Sequence, residues 1–364
     1  MKIIRNRAFI KTIFLLSFIS SIIIFTACSK DTDDEIPFYQ EAIYIMDADG
    51  SNKTKVIDVD GCENVQFIPN SNKLLYLAGN SLYTVNTDGT ENVKISGGLE
   101  VEGTNRGNAK PTISNDGNYA LFSGIASNQH DLFLYEIGSN LLTNITNTNS
   151  VDELNPRFES NELKACFITR NDSLHYLTVI DPLNSTIDTL YTSNKRMPAC
   201  LYSFDNQSIL FFEEYDDKAI DSKSYERYYY RTYLKRISIN SLEVNELVDN
   251  SSNYCSYISV LNENYIIFDL YSGRLTAFSL LNNDSIDLPE SIIYAFDLNV
   301  QNKVYFSGSE LPESGTIEIF DIASNETEIL ATKSIAPALN KDDSKLCCIR
   351  AYVTNSKSEN QITN

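Results

Sequence analysis

The sequence predicts an all-β fold, a β-propeller built from four-stranded antiparallel blades. Two observations predict it. A strand–turn–strand unit recurs along the chain at intervals of 38 to 57 residues, and short runs of β-branched and aromatic residues alternate with turns rich in Asn, Asp, Ser and Gly. Tyrosine (22) and phenylalanine (18) are abundant among the 364 residues, and both favour strands. A period of about 40–45 residues with four strands per unit is typical of propeller blades.

The repeat unit is clearest at residues 111–124. Pro111 opens a short strand, and residues 114–118 (SNDGN) supply turn-forming side chains and a glycine that accepts a positive φ. From Tyr119 to Gly124 the side chains alternate between two faces, the period-two pattern of a half-buried strand. A second hairpin follows over residues 131–145, so the unit contains four strands.

Seven copies of the unit align on a residue of the second strand. These landmarks are Tyr76, Phe122, Phe167, Phe211, Phe268, Phe306 and Cys348. Residues 42–57 form an outer hairpin with no inner hairpin before it, and residues 335–351 form an inner hairpin with no outer one after it. Together they would complete one blade and remove an open sheet edge. We therefore predict seven blades, with six or eight as alternatives, in a propeller over residues 41–352 followed by a C-terminal tail, 353–364.

Three segments resemble the WD-like repeat of TolB-type propellers. They are residues 111–117 (PTISNDG), 155–158 (NPRF) and 83–89 (YTVNTDG). The resemblance covers about residues 42–351 and implies a propeller whose relatives bind proteins, act as periplasmic scaffolds, or gate prolyl-oligopeptidase-type enzymes. In those enzymes an α/β-hydrolase domain accompanies the propeller. The sequence contains no Gly-x-Ser-x-Gly elbow, so we expect no such domain.

The first 40 residues predict export and a lipid anchor. Residues 1–27 combine basic residues, an apolar segment and small residues, as a secretion signal peptide does. Phe25-Thr-Ala-Cys28 resembles the bacterial lipobox, which implies a lipoprotein modified at Cys28, with palmitate among its lipids. Residues 28–40 are predicted to be an acidic flexible tether that resembles cell-surface export signals. We expect an outer-membrane location at the cell surface. The periplasmic face and an uncleaved anchor helix are the alternatives.

The charge of the chain excludes some partners. The net charge is −20, and removal of residues 1–27 leaves 25 basic against 49 acidic side chains. Such a surface repels phosphate backbones, so we expect no nucleic-acid partner. An anionic polysaccharide is disfavoured unless a local basic strip or a metal overrides the field. No long glycine- or proline-rich linker divides the chain, which favours one large repeat domain over two unlike ones. We expect this propeller to be monomeric.

Candidate functional residues concentrate on one face of the predicted propeller. We call it the top face; it carries the connections from second to third strands and from fourth to first strands. The only two histidines, His130 and His175, each lie eight residues after a landmark, which predicts equivalent positions on blades 2 and 3. The longest landmark spacing, 57 residues, reveals an insertion within residues 213–233 of blade 4. Its second half contains Tyr225, Arg227, Tyr228, Tyr229 and Tyr230.

These residues predict a ligand-binding site. Tyrosine and arginine are enriched at recognition surfaces, and tyrosine rings also suit stacking on sugars. We therefore expect the insertion and the two histidines to bind a protein or a glycan. The alternatives are that the tyrosines pack on the blade as ordinary strand residues, and that the histidines are hydrogen-bonding rim residues. Because a third ligand is missing, we do not expect the histidines to bind a metal.

The sequence favours a membrane-anchored, non-enzymatic binding or scaffold propeller with no catalytic residues and no cofactor. The alternative is a polysaccharide lyase or hydrolase in which top-face carboxylates such as Glu213 and Asp216 act as acid and base. Residues 47–52 (DADGSN) resemble the start of a calcium loop but lack the later ligands, so we predict a hairpin turn. The cysteines beyond Cys28 are scattered over the blades and are expected to be buried and unpaired.

Overall fold

The fold consists of antiparallel strands joined by short turns. A computed structural model describes residues 38–354 apart from 102–109, 127, 221–225, 251–254, 261–264, 271–273, 281, 283, 289–293, 299–302 and 308–314. The predicted signal peptide with Cys28 lies outside the described residues, as do residues 28–37 of the tether and 355–364 of the tail. Tyr39–Tyr352 forms one compact unit. Where the structure describes the chain, it has no helix long and apolar enough to cross a membrane.

The strands, in chain order, are β1 (Phe38–Asp47), β2 (Thr54–Asp58), β3 (Cys62–Phe67), β4 (Lys73–Ala78), β5 (Ser81–Asn86), β6 (Val93–Lys94), β7 (Glu100–Val101), β8 (Thr112–Ile113), β9 (Tyr119–Ala126), β10 (Gln129–Glu136), β11 (Leu141–Asn144), β12 (Asp152–Phe158), β13 (Ala165–Arg170), β14 (His175–Asp181), β15 (Thr186–Ser193), β16 (Cys200–Tyr202), β17 (Ser208–Ile220), β18 (Glu226–Ser238), β19 (Val244–Asn250), β20 (Cys255–Val260), β21 (Tyr265–Leu270), β22 (Arg274–Ser279), β23 (Ser285–Asp287), β24 (Tyr294–Leu298), β25 (Lys303–Ser307), β26 (Thr316–Asp321), β27 (Glu326–Thr332), β28 (Ser334–Leu339) and β29 (Lys345–Thr354).

These strands form seven antiparallel sheets, which confirms the predicted seven-bladed propeller. Blades 1 and 3 to 6 are β3–β6, β12–β15, β16–β19, β20–β23 and β24–β27. In blade 2 the short strands β7 and β8 both pair with β9 and together replace a single first strand, ahead of β10 and β11. Blade 7 has the order β2-β1-β29-β28. The two ends of the chain therefore complete one blade, as predicted.

Seven clusters of buried hydrophobic residues fill the interfaces between neighbouring blades and close the ring. Within β9, Ala120 and Phe122 pack against blade 1, whereas Leu121 packs against blade 3. This is the predicted alternation of faces. Between blades 7 and 1, Ile43 joins the same cluster as Leu74, so the last interface is packed like the others. Full burial of one such large side chain stabilises the fold by roughly 1.5–3 kcal/mol.

The turn between the first and second strands of blade 2 shows why glycine is required there. Gly117 has φ +76, and a Cβ atom on it would lie 1.9 Å from the carbonyl oxygen of Pro69 in blade 1. The equivalent turn position is Asn206 in blade 4 and Asp343 in blade 7, with φ of 55° and 58°. Asn and Asp tolerate this left-handed conformation. Glycine at position 117 therefore permits both the turn and a close approach between blades.

Side chains link the same turns across the face opposite the top face, here called the bottom face. Asn70 Nδ2 donates to the carbonyl of Asp116 (3.3 Å), and Asn115 Nδ2 donates to the carbonyl of Ser160 (2.8 Å). Lys341 Nζ of blade 7 donates to the carbonyl of Asn115 of blade 2 (3.2 Å). Hydrogen bonds between turns thus supplement the hydrophobic interfaces.

Residues 47–52 form a hairpin turn between β1 and β2, as predicted. The Gly50 N–H donates to the Asp47 carbonyl (2.8 Å), and Gly50 has φ +80. The Asp47 carboxylate accepts hydrogen bonds from Asn52 Nδ2 (2.6 Å) and from Lys345. Protein donors therefore occupy this carboxylate.

The described cysteines are buried and form no disulfide with one another, as predicted. They are Cys62, Cys166, Cys200, Cys347 and Cys348. Cys347 packs in the cluster between blades 7 and 1, whereas Cys348 packs in the cluster between blades 6 and 7. The two neighbouring thiols thus lie on opposite faces of β29.

Candidate functional site

The two histidines occupy equivalent positions on blades 2 and 3. Phe122 pairs with Phe133 across β9 and β10, and Phe167 pairs with Thr178 across β13 and β14. Each histidine lies three residues before the partner of its landmark, close to the start of the third strand. Because third strands begin at the top face, both imidazoles belong to the rim of that face.

His130 contacts a charged pair on the next blade. Its Nδ1 atom lies 3.2 Å from Oδ1 of Asp152, the first residue of β12, and its backbone N–H donates to the same oxygen (3.2 Å). Asp152 Oδ2 accepts a hydrogen bond of 2.6 Å from Arg170. Burial alone raises the pKa of Asp152, but the hydrogen bonds from Arg170 and His130 outweigh it and hold the pKa below its ordinary value. Asp152 is therefore ionised at neutral pH.

His175 has different surroundings. Its Nδ1 atom is buried and has no hydrogen-bond partner among the residues that the structure describes. Burial lowers the pKa of His175, and the positive charges of Arg170 and Arg196 lower it further. The imidazole is therefore neutral at pH 7. Arg170 belongs to the same blade as His175, and Arg196 belongs to blade 4.

The two arginines belong to charge-swapped pairs at equivalent positions. Asp152 and Arg170 are Cα partners across the first and second strands of blade 3, and Arg196 and Glu214 are bridge partners at the same level of blade 4. Arg196 Nη1 lies 2.9 Å from Glu214 Oε2, and the Glu214 side chain is only 2% exposed. In blade 3 the acidic partner, Asp152, is on the first-strand side of the pair, whereas in blade 4 the basic partner, Arg196, is on that side.

A buried polar cluster joins blades 3 and 4 below this rim. Glu213 forms an ion pair with Lys235 and accepts hydrogen bonds from Tyr215 (2.8 Å), Tyr191 (3.2 Å) and Ser193. Tyr191 and Ser193 belong to β15 of blade 3, so Glu213 bridges the two blades. Burial raises the pKa of Glu213, but these bonds outweigh it, and the pKa lies below its ordinary value. Glu213 is held as a carboxylate.

The predicted insertion is a long hairpin made of β17 and β18. The two strands pair without interruption from Ser208↔Ser238 to Ile220↔Glu226. In blade 3 the second strand ends at Arg170, the equivalent of Glu214, so β17 continues for six more residues, roughly 20 Å. The hairpin therefore extends beyond the neighbouring blade at the top face.

The structure places the predicted tyrosines on this hairpin by their backbone only. Arg227, Tyr228, Tyr229 and Tyr230 pair with Ala219, Lys218, Asp217 and Asp216. Their side chains lie outside the described residues, and so does the whole of Tyr225. Their role in binding therefore stays a prediction.

The base of the hairpin contains aromatic residues that the sequence analysis did not single out. The rings of Tyr215 and Tyr233 lie 5.0 Å apart in an edge-to-face arrangement. Lys195 Nζ lies 5.0 Å from the Tyr215 ring and Lys235 Nζ lies 5.5 Å from it. These tyrosines pack on the blade, which is the alternative role considered for the insertion. Aromatic and cationic contacts thus pack the base of the hairpin.

Two features bear on acid–base chemistry. Glu213 and Asp216 are three residues apart on one strand, so their positions belong to opposite faces of the sheet. Burial raises the pKa of Glu153 to about 7, a value suited to a general acid. Glu153 is only 1% exposed, however, and lies between blades 2 and 3, where Thr148 Oγ1 donates to it (2.9 Å). This carboxyl does not reach the surface on which a substrate would bind.

Among the residues that the structure describes, no three or more His, Cys, Asp and Glu side chains form a group that could hold a metal ion. A cavity of about 1300 Å³ opens on the bottom face between blades 1 and 7. Its lining includes Asn70, Asn72, Lys341, Asp342 and Lys345. The histidines and the long hairpin lie at the other face.

The comparisons with known proteins concern the fold. No protein-family model and no curated protein matches the sequence. Similar solved structures include an oligogalacturonate lyase in complex with manganese, with 10% identity, a TM-score of 0.61, and coverage of 88% of this chain and 98% of that one. A puromycin-hydrolysing peptidase of Mycobacterium tuberculosis has 10% identity, a TM-score of 0.55 and coverage of 80% and 52%. A putative TolB from Agrobacterium tumefaciens has 12% identity, a TM-score of 0.49 and coverage of 87% and 100%. The chain is a seven-bladed β-propeller, and TolB proteins are among its structural neighbours.

Proposed function

We propose that the protein is a non-enzymatic binding propeller of the cell envelope that holds a protein or glycan ligand on the top face of blades 2 to 4. The observation that carries the proposal is the β17–β18 hairpin, which extends beyond its neighbouring blade next to a rim of histidine and arginine side chains. A projecting edge with aromatic and arginine residues suits recognition. The hairpin is anchored at its base by the Glu213–Lys235 ion pair, so it can present a fixed surface.

The state of the carboxyl groups favours binding over catalysis. A general acid needs a proton near neutral pH and access to the substrate. Glu213 is an ionised carboxylate bonded to protein donors, and Glu153 is protonatable but buried. The polysaccharide lyase or hydrolase alternative is therefore the weaker one. The oligogalacturonate lyase and the peptidase share the fold with this chain, and their activities are those of other proteins.

The proposed location rests on the N-terminal sequence. The segment Phe25-Thr-Ala-Cys28 follows a signal-like apolar stretch, and an acidic tether follows Cys28. We propose lipid attachment at Cys28 and a monomeric propeller displayed at the outer membrane. Metabolic labelling with a palmitate analogue should mark the wild-type chain and not Cys28→Ser. Equal labelling of both chains would refute the anchor and leave the top-face site untouched.

The binding function is tested on the full chain in detergent with a glycan array and an envelope pull-down. The top-face variant carries Tyr228, Tyr229 and Tyr230 changed to alanine. The control variant carries Phe204→Ala and Lys341→Ala in bottom-face turns; Phe204 is 56% exposed. We expect specific binding to be lost in the top-face variant alone, with unchanged thermal stability. Loss in both variants or in neither would contradict the proposal.

A second variant guards against a triple mutant that fails to fold. Residues 217–229 are replaced by Asn-Gly, which joins the paired positions Asp216 and Tyr230 by a two-residue hairpin turn. The base of the hairpin, including Tyr215, Tyr233 and Lys235, is retained. This shortened chain should fold and fail to bind. Retained binding would show that the hairpin is not the recognition element.

A further inference from the structure

We propose that Arg170 and Arg196, with His175 between them, form a carboxylate-binding site for an acidic side chain or the C-terminus of a protein partner. The inference rests on the proposed function and assigns a chemistry to part of that face. Arg170 ends β13, His175 begins β14, and Arg196 lies in the connection between β15 and β16, where blade 3 meets blade 4.

Backbone pairing brings the residues together. His175 is the Cα partner of Arg170 across β13 and β14, and of Ser193 across β14 and β15. From Ser193 the chain reaches Arg196 within three residues. The Lys195 N–H donates to Ser193 Oγ (3.0 Å), which fixes this short connection next to His175. In the sheet, His175 therefore lies between Arg170 and Ser193, and Arg196 follows three residues after Ser193.

Both guanidinium groups retain donors for a ligand. Arginine has five N–H donors in a planar fork that matches a carboxylate. Arg170 donates one hydrogen bond to Asp152 (2.6 Å) and Arg196 donates one to Glu214 (2.9 Å). Their side chains are 44% and 60% exposed. Each of these partly exposed guanidinium groups therefore keeps N–H donors that its carboxylate partner does not use.

The electrostatic environment favours an added negative charge at this point. Arg170 and Arg196 act together on His175, whose pKa is lowered by burial and by both of them. The nearby acids are already bonded: Asp152 and Glu214 to the arginines, and Glu213 to Lys235. A carboxylate bound between the arginines would reduce their repulsion of a proton on His175. Ligand binding and protonation of His175 are thus linked.

The overall charge indicates a protein partner rather than an acidic polysaccharide. The chain has a net charge of −20, so its surface repels each negative charge of a polyanion that lies along it. At physiological salt this repulsion is screened over roughly 8 Å, so a single carboxylate responds mainly to the charged groups next to it. A polyuronate would carry further acids over the negative surface. A protein offers one carboxylate within neutral or basic surroundings.

The test uses the two histidines as probes. The full chain in detergent is labelled at histidine, which yields two imidazole signals. His175 is the probe of the site, and His130, which contacts Asp152, reports changes in the Asp152–Arg170 pair. The labelled chain is titrated with the capped peptide acetyl-Gly-Glu-Gly-amide, with the glutamine analogue as control, and with trigalacturonate. We expect the glutamate peptide to shift the His175 signal and to raise its pKa, the glutamine peptide to have no effect, and trigalacturonate to bind several-fold more weakly.

Two substitutions test the site without disrupting the fold. Arg170→Gln removes one guanidinium group, and the fold should tolerate this because its partner Asp152 is 26% exposed and can be hydrated. Arg196→Lys keeps a charge against buried Glu214 but loses the planar fork. Lys164→Gln, from an exposed pair with Glu162, is the control. At the peptide concentration that half-saturates the wild type, the shift should vanish in Arg170→Gln, shrink in Arg196→Lys and persist in Lys164→Gln.

Distinct outcomes overturn the two proposals. If the glutamate peptide leaves the wild-type His175 signal unmoved, or if Arg170→Gln responds like the wild type, the carboxylate site is wrong. If trigalacturonate binds more tightly than the peptide, the partner class is wrong and an acidic glycan replaces it. In each case the hairpin variants still report on the proposed function, because they are scored with the array and the pull-down.

Discussion

Lys235 and Glu213 form an ion pair inside the interface between blades 3 and 4, where their side chains are only 11% and 1% exposed. The pair lies at the base of the long hairpin, and Glu213 also accepts hydrogen bonds from β15 of blade 3. It therefore connects the fold of the ring to the position of the proposed binding element.

Removal of one partner should leave a buried charge without its counter-ion. We expect Glu213→Gln or Lys235→Met to lower the free energy of unfolding by about 3–5 kcal/mol, and the double change Glu213→Leu with Lys235→Met to recover much of the loss. The measurement is urea unfolding. Glu162→Gln, from an exposed pair with Lys164, should cost less than about 1 kcal/mol. A single change as mild as this control would contradict a structural role for the pair.

Glu153 should make stability depend on pH. Burial, with the adjacent charge of Asp131, raises the pKa of Glu153 to about 7 from 4.5, so the folded state keeps a proton that the unfolded chain has lost. Stability should therefore fall as the pH rises from 4.5 to 7, by about 1.4 kcal/mol for each unit of difference. In Glu153→Gln this component of the slope should disappear. Urea unfolding between pH 4.5 and 8 tests this, and an unchanged slope would show that Glu153 is ionised in the fold.

Gly117 should be intolerant of a side chain. Its Cβ atom would lie 1.9 Å from the Pro69 carbonyl oxygen, whereas a Cβ on Gly79, which also has a positive φ (+54), would meet nothing within 4 Å. We expect Gly79→Ala to cost about 1–2 kcal/mol from backbone strain alone and Gly117→Ala to cost clearly more. Gly138→Ala, with open space around it, is the neutral reference. Equal thermal shifts for Gly79→Ala and Gly117→Ala would contradict the close contact between blades.

The buried thiols should be unreactive in the folded protein. Burial raises the pKa of Cys348 to about 12, and Cys62, Cys166, Cys200 and Cys347 are also buried thiols outside disulfides. In a chain with Cys28→Ser and Cys255→Ser, we expect no reaction with a thiol reagent in buffer and five equivalents after unfolding in urea. Rapid reaction before unfolding would show that these interfaces open easily.

The fold was predictable because its signals are local. Alternation at Ala120, Leu121 and Phe122 is visible in the sequence, and the structure uses it to pack β9 against two different blades. Many turns contain a residue with a left-handed φ, and the glycine at position 117 indicated one such turn in the sequence. The contact of Gly117 with Pro69 was not predictable, because it depends on the distance between two blades.

The candidate site was predictable only in part. The spacing of His130 and His175 from their landmarks predicted equivalent positions, because repeats in register place equal offsets at equal heights. Arg170 and Arg196 were missed because their proximity arises where two blades meet. One signal was available: the pairs Asp152–Arg170 and Arg196–Glu214 recur 44 residues apart with their charges swapped. In blade 4, the sequence of the insertion predicted a hairpin. It did not predict that Glu213 bonds to blade 3.

The most direct test of the account places a photo-crosslinking benzoylphenylalanine at position 228 on the long hairpin, or at position 204 in an exposed bottom-face turn, in the full chain within intact cells. If the top face binds the ligand, a discrete crosslinked species should form from position 228 and not from position 204, and the shortened hairpin should not bind that partner. A discrete species from position 204, with none from position 228, would contradict the central claim.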